Sequence, residues 1–291
     1  MADLEANAGK PGFILTITCP DRRGIVAAVS KFLVDHGCNI VDSAQFGDRL
    51  NGRFFLRIYF LSETGTTLET LRKDVAAVAQ AFSMDAQIYD AARKTRTLIM
   101  VSKAGHCLVD LLYRRRIGAL PIDVAMIVSN HRDFEDVAEV NGIPFRYLPV
   151  TKENKAVQEA ELWKIIEAEH IELVVLARYM QVLSGEMCDR LRGHAINIHH
   201  SFLPSFKGAV PYRQAYERGV KLIGATAHFV TSDLDEGQII EQAVERVHHG
   251  LTPADLAAVG RDIESVVLAR AVKYYAEHRI LLNGDRTVVF T

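Results

Sequence analysis

Residues 97–129, TLIMVSKAGHCLVDLLYRRRIGALPIDVAMIVS, decide the fold of most of the chain. "TLIMVS" and "IDVAMIVS" are short continuous apolar runs, the pattern of strands buried on both faces of a parallel sheet. Between them "HCLVDLLYRRRIG" reads as a helix. Further on, "IELVVLA" (171–177) is a third such run, and "ENKAVQEAELWKIIEAEH" beside it is helical. Strands alternating with helices predict a doubly wound, Rossmann-like α/β domain. The chain closes on a long helix with Thr252 as N-cap, Pro253 as first residue, and Leu256, Val259, Ile263, Val266 and Val267 as its buried stripe.

Upstream the rhythm differs. "FILTITC" is a strand, broken by "PDRRG". "IVAAVSKFLVDHG" has apolar residues at 25, 26, 29, 32 and 33, which is helical spacing, and Gly37 stops it. "CNIVDSAQFG" and "GRFFLRIYFL" are strands joined through Asp48, Asn51 and Gly52. "LETLRKDVAAVAQAF" is a second helix and "SMDAQIYD" a fourth strand. The order βαββαβ predicts a small ferredoxin-like α+β sandwich. The polar stretch "AARKTR" (91–96) reads as the linker, so the expected domains are 12–90 and 97–291. "FFLRIYF" and the apolar helices exceed what so small a sandwich buries alone, which predicts a homo-oligomer with N-terminal contacts.

Composition excludes several classes of function. With 34 Lys+Arg against 36 Asp+Glu, the net charge of -2 provides no strong attraction to nucleic acid or acidic lipid. The polar start "MADLEANAGKPG" has no signal-peptide core, and no apolar run is long enough to span a bilayer. Cys19, Cys38, Cys107 and Cys188 are scattered, as expected in a reducing cytoplasm and not in a disulfide framework or a thiolate zinc site.

A doubly wound sheet binds ligands beyond the carboxyl ends of its strands. "VSKAGHC" (101–107), "LARYMQVLS" (176–184) and "INIHHSFLPSFKGA" (196–209) all end there, joined by "ATAHFVTSDLDEGQII" (225–240), a strand, a loop with two acids and another strand. Asn197 and His199, two residues apart at a strand end, point the same way. A side-chain amide donates to an oxyanion, and an imidazole donates beside it or moves a proton. A zinc site from His194, His199 and His200 is disfavoured, because neighbours on a strand face opposite ways and no acid lies close in sequence. We expect no metal and no bound redox cofactor. His248 and His249 read as surface loop residues.

These segments resemble the folate-dependent formyltransferase family. "NIHHSFLPSFKGAVPYRQA" is similar to its Asn-x-His signature with the following Leu-Pro and Gly loop, and "HFVTSDLDEGQII" to the strand and loop that supply its Asp. The resemblance implies a catalytic trio of Asn197, His199 and Asp235. It also implies a folate pocket walled by Met180, Gln181, Leu183, Val230 and Ser232. His200 stands where the family usually has Pro, which implies loop packing or a supporting hydrogen bond.

Where the family's glycinamide ribonucleotide transformylases have a Gly- and Ser-rich loop for the acceptor's phosphate, this chain has Lys103, Ala104, Gly105, His106 and Cys107. Lys-x-x-His-Cys-Leu resembles the formyltetrahydrofolate deformylases, with Lys103 and His106 at the substrate and water as acceptor. "CPDRRGIVAAVSKFLVDHGCNIVD" resembles an ACT domain, a regulatory module whose amino-acid ligand would be framed by Asp21, Gly24 and Asn39, with methionine and glycine as candidate effectors. The joint pattern implies hydrolysis of 10-formyltetrahydrofolate to formate and tetrahydrofolate, in one-carbon and purine metabolism. The rivals are transfer of the formyl group to glycinamide ribonucleotide or an initiator tRNA, and a non-enzymatic amino-acid-sensing folate-binding protein. The altered loop, the near-neutral charge and the intact trio speak against these in turn.

Overall fold

The computed structural model describes residues 9–204 and 211–291. The chain forms two compact units, one running up to Arg93 and taking in Glu277–Asn283 and Val288–Thr291, the other comprising Lys94–Ala276 and Gly284–Thr287.

The first unit is built on strands β1 (Gly12–Pro20), β2 (Cys38–Asp48), β3 (Arg53–Ser62) and β4 (Asp85–Asp90), with helices α1 (Ile25–Asp35) and α2 (Leu68–Phe82). The sheet order is β2-β3-β1-β4, all antiparallel, as the βαββαβ reading requires. Thr67 caps α2 by accepting from the Thr70 N–H. Alternation along β3 splits its side chains between two faces. Phe54, Leu56, Ile58 and Phe60 join Leu15, Ile17, Leu33 and Leu71 in the core under the helices.

Phe55, on the opposite face of β3, packs with Leu281 and Phe290. The buried Arg57 donates from Nε and Nη2 to the Glu277 carbonyl at 3.1 and 3.0 Å. Asn283 Nδ2 donates to Asp48 Oδ2 at 2.7 Å. The surplus apolar surface of "FFLRIYF" is therefore covered by the chain's own C-terminal residues, which removes the argument that this strand needs a second copy. Apolar residues left exposed include Ile40, Val41 and Phe46 on the edge strand β2, Val26 and Val34 on α1, and Leu50 in the β2–β3 turn.

The second unit has a seven-stranded sheet of order β11-β10-β9-β8-β5-β6-β7. Its strands are β5 (Thr95–Val101), β6 (Ile122–Ser129), β7 (Phe145–Tyr147), β8 (Leu173–Leu176), β9 (Ala195–His199), β10 (Leu222–Phe229) and β11 (Ile239–Arg246). The five from β9 through β7 run parallel, and β10 and β11 are antiparallel additions. Helices α3 (His106–Arg116), α4 (Glu135–Val140), α5 (Lys155–Ala168), α6 (Gly185–Arg190), α7 (Pro211–Glu217) and α8 (Pro253–Ala276) complete it. From β5 the chain winds through β6 and β7 to one side, then returns through β8 and β9 to the other. The switch point lies at the carboxyl ends of β5 and β8, where this fold opens a crevice.

The expected strands and long helices are present, and Thr252 and Asp255 cap α8 reciprocally. β5 begins inside the stretch read as linker, because Arg96 is tied to Asp123 at 2.9 Å and Glu169 at 2.6 Å. β7, α4, α6, α7 and a C-terminal hairpin of β12 (Ile280–Asn283) and β13 (Arg286–Val289) are additions too short to show periodicity. No helix among the described residues is long and apolar enough to cross a membrane.

Candidate active site

A cleft of about 320 Å³ opens beyond β8 and β9. Met180, Gln181 and Leu183 from the segment after β8 line it, with Val230 and Ser232 from the loop after β10 and with Asn197, His199 and Asp235. The loop after β5 braces the segment after β8: Ser102 Oγ accepts from the Met180 N–H at 2.9 Å and donates to Asn130 Oδ1 at 2.7 Å. Part of the Asn-x-His loop, including Gly208, lies outside the described residues.

Antiparallel register sets the geometry of this site. Asn197 and His199 share one face of β9, and on β10 His228 lies directly opposite Asn197. Asn197 Nδ2 and His228 Nε2 are 3.2 Å apart, and His228 Nδ1 donates to the Phe229 carbonyl at 2.8 Å. In the neutral ring Nε2 then accepts from Asn197, which fixes the amide and leaves it a second N–H. Protonated, the same ring adds a positive charge beside Asp235, whose Oδ1 lies 3.7 Å from Nε2.

Asp235 reaches this pair from the β10–β11 loop. Its φ of 60 is left-handed, a costly backbone for a residue with a side chain. Gly237 lets the loop fold tightly onto β10, since a Cβ there would sit 1.7 Å from the Phe229 carbonyl oxygen. Oδ2 lies 3.2 Å from His199 Nδ1. Burial opposes ionisation of Asp235, but the hydrogen bond from His199 and the nearness of His228 outweigh it and hold the carboxyl well below the usual range. His199 is buried, and its Nε2 has no hydrogen-bond partner among the described residues.

Next to the trio is a second polar cluster. Glu264, on α8, is 1 % exposed. Its Oε2 accepts from His106 Nε2 at 2.8 Å and lies 3.3 Å from Arg178 Nε, and its Oε1 accepts from the Tyr212 hydroxyl at 2.5 Å. Burial opposes this carboxylate, but His106, Arg178 and Tyr212 together hold its pKa down. Burial and the adjacent carboxylate keep the Tyr212 phenol protonated beyond its usual range. His200 is buried between the two groups, with ring centroids 5.0 Å from His199 and 6.3 Å from Tyr212. Burial, helped by the charges of Arg178 and His199, pushes its pKa down to about 4, so it is neutral at physiological pH.

His106, Cys107 and Glu264 group donor atoms of metal-binding type. The carboxylate already has a guanidinium and a phenol for partners, however, and burial pushes the Cys107 thiol up, away from the thiolate a metal would need. Of the sequence candidates, Asn197, His199, Asp235, Met180, Gln181, Leu183, Val230 and Ser232 share the cleft. His106 turns to Glu264, and Lys103 is exposed with no ion pair among the described residues. Sequence reasoning missed His228, Arg178, Tyr212 and Glu264. The one available signal was an acid inside the apolar stripe of the last helix.

In the first unit, Gly24 takes a φ of 95 as it opens α1. Asp21 follows β1 at the end where Pro20 pairs with Arg53, and its carboxylate lies near Gly47. Asn39 pairs with Leu61 at the other end of the sheet. About 25 Å of strand separates these ends. One copy of the unit therefore does not bring Asp21 and Gly24 together with Asn39, contrary to the expected frame.

Residues 95–272 match the model of the formyl transferase family, and residues 13–78 that of the ACT domain. The formyltetrahydrofolate deformylase of Corynebacterium sp. (strain P-1) is 51% identical over 277 residues, 95% of this chain and 97% of that protein. The crystal structure of formyltetrahydrofolate deformylase from Burkholderia mallei superposes with a TM-score of 0.92 at 54% identity, over 97% of this chain and 100% of that one. The glycinamide ribonucleotide transformylase 1 of Symbiobacterium toebii matches 70% of this chain and 97% of its own, with a TM-score of 0.65 at 31% identity.

Proposed function

The chain belongs to the formyltetrahydrofolate deformylase family, and we infer that it hydrolyses 10-formyltetrahydrofolate to formate and tetrahydrofolate with Asn197, His199 and Asp235 as its catalytic groups. The observation that carries the mechanism is the two-sided setting of His199: Nδ1 on the Asp235 carboxylate, Nε2 buried with no hydrogen-bond partner among the described residues. With Nδ1–H committed to Asp235, Nε2 is the nitrogen that exchanges protons with the substrate. A water attacks the formyl carbon as its proton passes to Nε2. The resulting oxyanion accepts the free Asn197 N–H. When the C–N10 bond breaks, N10 takes the proton back from His199, leaving formic acid, which ionises to formate. Asp235 stabilises the transient imidazolium and holds the ring in place. Both its oxygens face imidazoles, so it is not itself the group that activates water.

The chemistry asks for neither a metal nor a redox cofactor, because the chain supplies both the oxyanion donor and the proton carrier. Met180, Gln181, Leu183, Val230 and Ser232 hold the pterin side of the folate. The setting is cytoplasmic, in keeping with four free, buried cysteines. The ACT unit takes a small amino acid, methionine or glycine, as effector. Because the two halves of its frame lie at opposite ends of one sheet, the site requires two copies, which favours a homo-oligomer. Incubation of the purified protein with 10-formyltetrahydrofolate, following formate and tetrahydrofolate, tests the reading: one formate should form per tetrahydrofolate, and absence of both would contradict it.

A further inference from the structure

The two clusters meet in one cleft. Arg178 lines it together with His199 and His200, and through Arg178 the cleft reaches the Glu264 carboxylate. Three elements converge on that carboxylate, which α8 carries: the start of α3 (His106), the turn after β8 (Arg178) and α7 (Tyr212). His106 and Arg178 follow the carboxyl ends of β5 and β8, the crevice end of the sheet, and Tyr212 and Glu264 meet them there. The transformylase that shares the second unit's fold delivers the formyl group to an amine, whereas here water receives it.

The arrangement is expensive for a mere filler. Arg178 holds a φ of 63, a left-handed backbone that suits glycine. A buried ion pair is often no more stable than apolar side chains of the same volume. Gly260 has given up a side chain so that Tyr212 can lie against α8, since a Cβ there would sit 2.1 Å from the Tyr212 ring. Three departures from the cheapest core all serve to seat the same side chains against Glu264.

We propose that Arg178, His106 and Tyr212, closed on the Glu264 carboxylate, plug the subsite beside His199 through which an amine acceptor would reach the formyl carbon, and so reserve that carbon for water. This deepens the deformylase reading and rests on it. Water needs only about 30 Å³, which a filled subsite can still grant, whereas an amine carrying a substituent needs the space the plug occupies. Specificity here comes from excluding the wrong acceptor. With the plug opened, an amine nitrogen bonds to the formyl carbon, the C–N10 bond breaks, and the proton lost by the amine reaches N10 through His199. The products are a formamide and tetrahydrofolate.

The test compares wild type with Arg178→Gly, which removes the guanidinium and relieves the left-handed backbone, and with His106→Ala. Each is given 10-formyltetrahydrofolate and glycinamide, and the ratio of N-formylglycinamide to formate is read. A ratio does not depend on how much active enzyme each preparation holds. The plug predicts a wild-type ratio at the enzyme-free background and a rise of at least about tenfold in the variants. Binding of glycinamide ribonucleotide by calorimetry decides the case of a variant that folds but no longer turns over: the plug predicts a gain over wild type. Folded variants with a wild-type ratio, or silent ones with no gain in binding, overturn the proposal while leaving the deformylase reading intact. Wild-type protein that releases no formate overturns the deformylase reading instead, and the plug with it.

Discussion

His199 places Nδ1 3.2 Å from Asp235 Oδ2 and keeps Nε2 buried, without a hydrogen-bond partner among the described residues. A buried polar atom left open in this way is costly unless a ligand meets it. His199 lines the cleft, and the carboxylate at Nδ1 decides which of its nitrogens is left open.

Replacing the carboxylate while keeping its shape tests that relation. Asp235→Asn should lose most turnover and retain folate binding, because the charge that supports the imidazolium is gone while the pocket wall is not. Asn197→Ala should cost about 100- to 1000-fold in kcat, the usual loss for one oxyanion donor. His199→Ala should cost at least as much. Steady-state kinetics with a separate binding titration checks all three, and an Asp235→Asn variant that hydrolyses at the wild-type rate would refute the mechanism.

His228 acts through its neighbour. It stands opposite Asn197 in the β9–β10 ladder, and its ring nitrogen orients the amide. His228→Ala should lower kcat by about tenfold to a hundredfold through misplacement of Asn197. In an Asn197→Ala background the same change should cost much less, because the group it positions is already absent. Equal losses in both backgrounds would assign His228 a separate role.

Acid should destabilise the second unit in a defined window. The pKa of His200 falls from 6.5 in its ordinary state to about 4 when folded. Between these values the unfolded chain binds a proton that the folded chain refuses, so stability falls as pH drops from 6.5 towards 4 and then levels. The contribution is up to about 3 kcal/mol. Asp235 has the depressed carboxylate shift, so its contribution is present above about pH 3.9 and is lost only below it. His278 adds a loss of the same sign in the first unit, so the difference between proteins is the informative quantity. Denaturant melts of wild type and His200→Gln should diverge below pH 6.5, with the variant losing less.

On the proposed reading, the ACT unit couples assembly to regulation. A frame split between the two ends of one sheet is complete only when a second copy supplies the missing half. Light scattering at micromolar concentration should give a dimer or larger, and methionine or glycine should change the rate. Asn39→Ala should weaken the response and spare the unregulated rate. A monomer, or no response of rate or melting temperature to any common amino acid, would leave the unit without this role.

How much of this could be read in the sequence depended on whether a relation runs along the chain or across it. The apolar runs and the strand–helix rhythm are local, and the strands and long helices follow them. Asn197 and His199 were legible because two residues along a strand share a face. His228 was not, because only the β9–β10 register brings it to Asn197, and in "ATAHFV" it sits among apolar neighbours. Glu264 hid in the stripe of α8, where spacing marks burial and is silent on charge. His106 was singled out but given to the substrate, and its partner lies 158 residues away. The cover on Phe55 was equally invisible, since it comes from the far end of the chain.

The most direct measurement follows the formyl carbon itself. Purified protein is given 10-formyltetrahydrofolate labelled in the formyl group, with and without glycinamide ribonucleotide, and the label is tracked. The account predicts that all of it appears as formate, at a rate indifferent to the nucleotide. Label accumulating in formylglycinamide ribonucleotide would contradict it and make the protein a transferase.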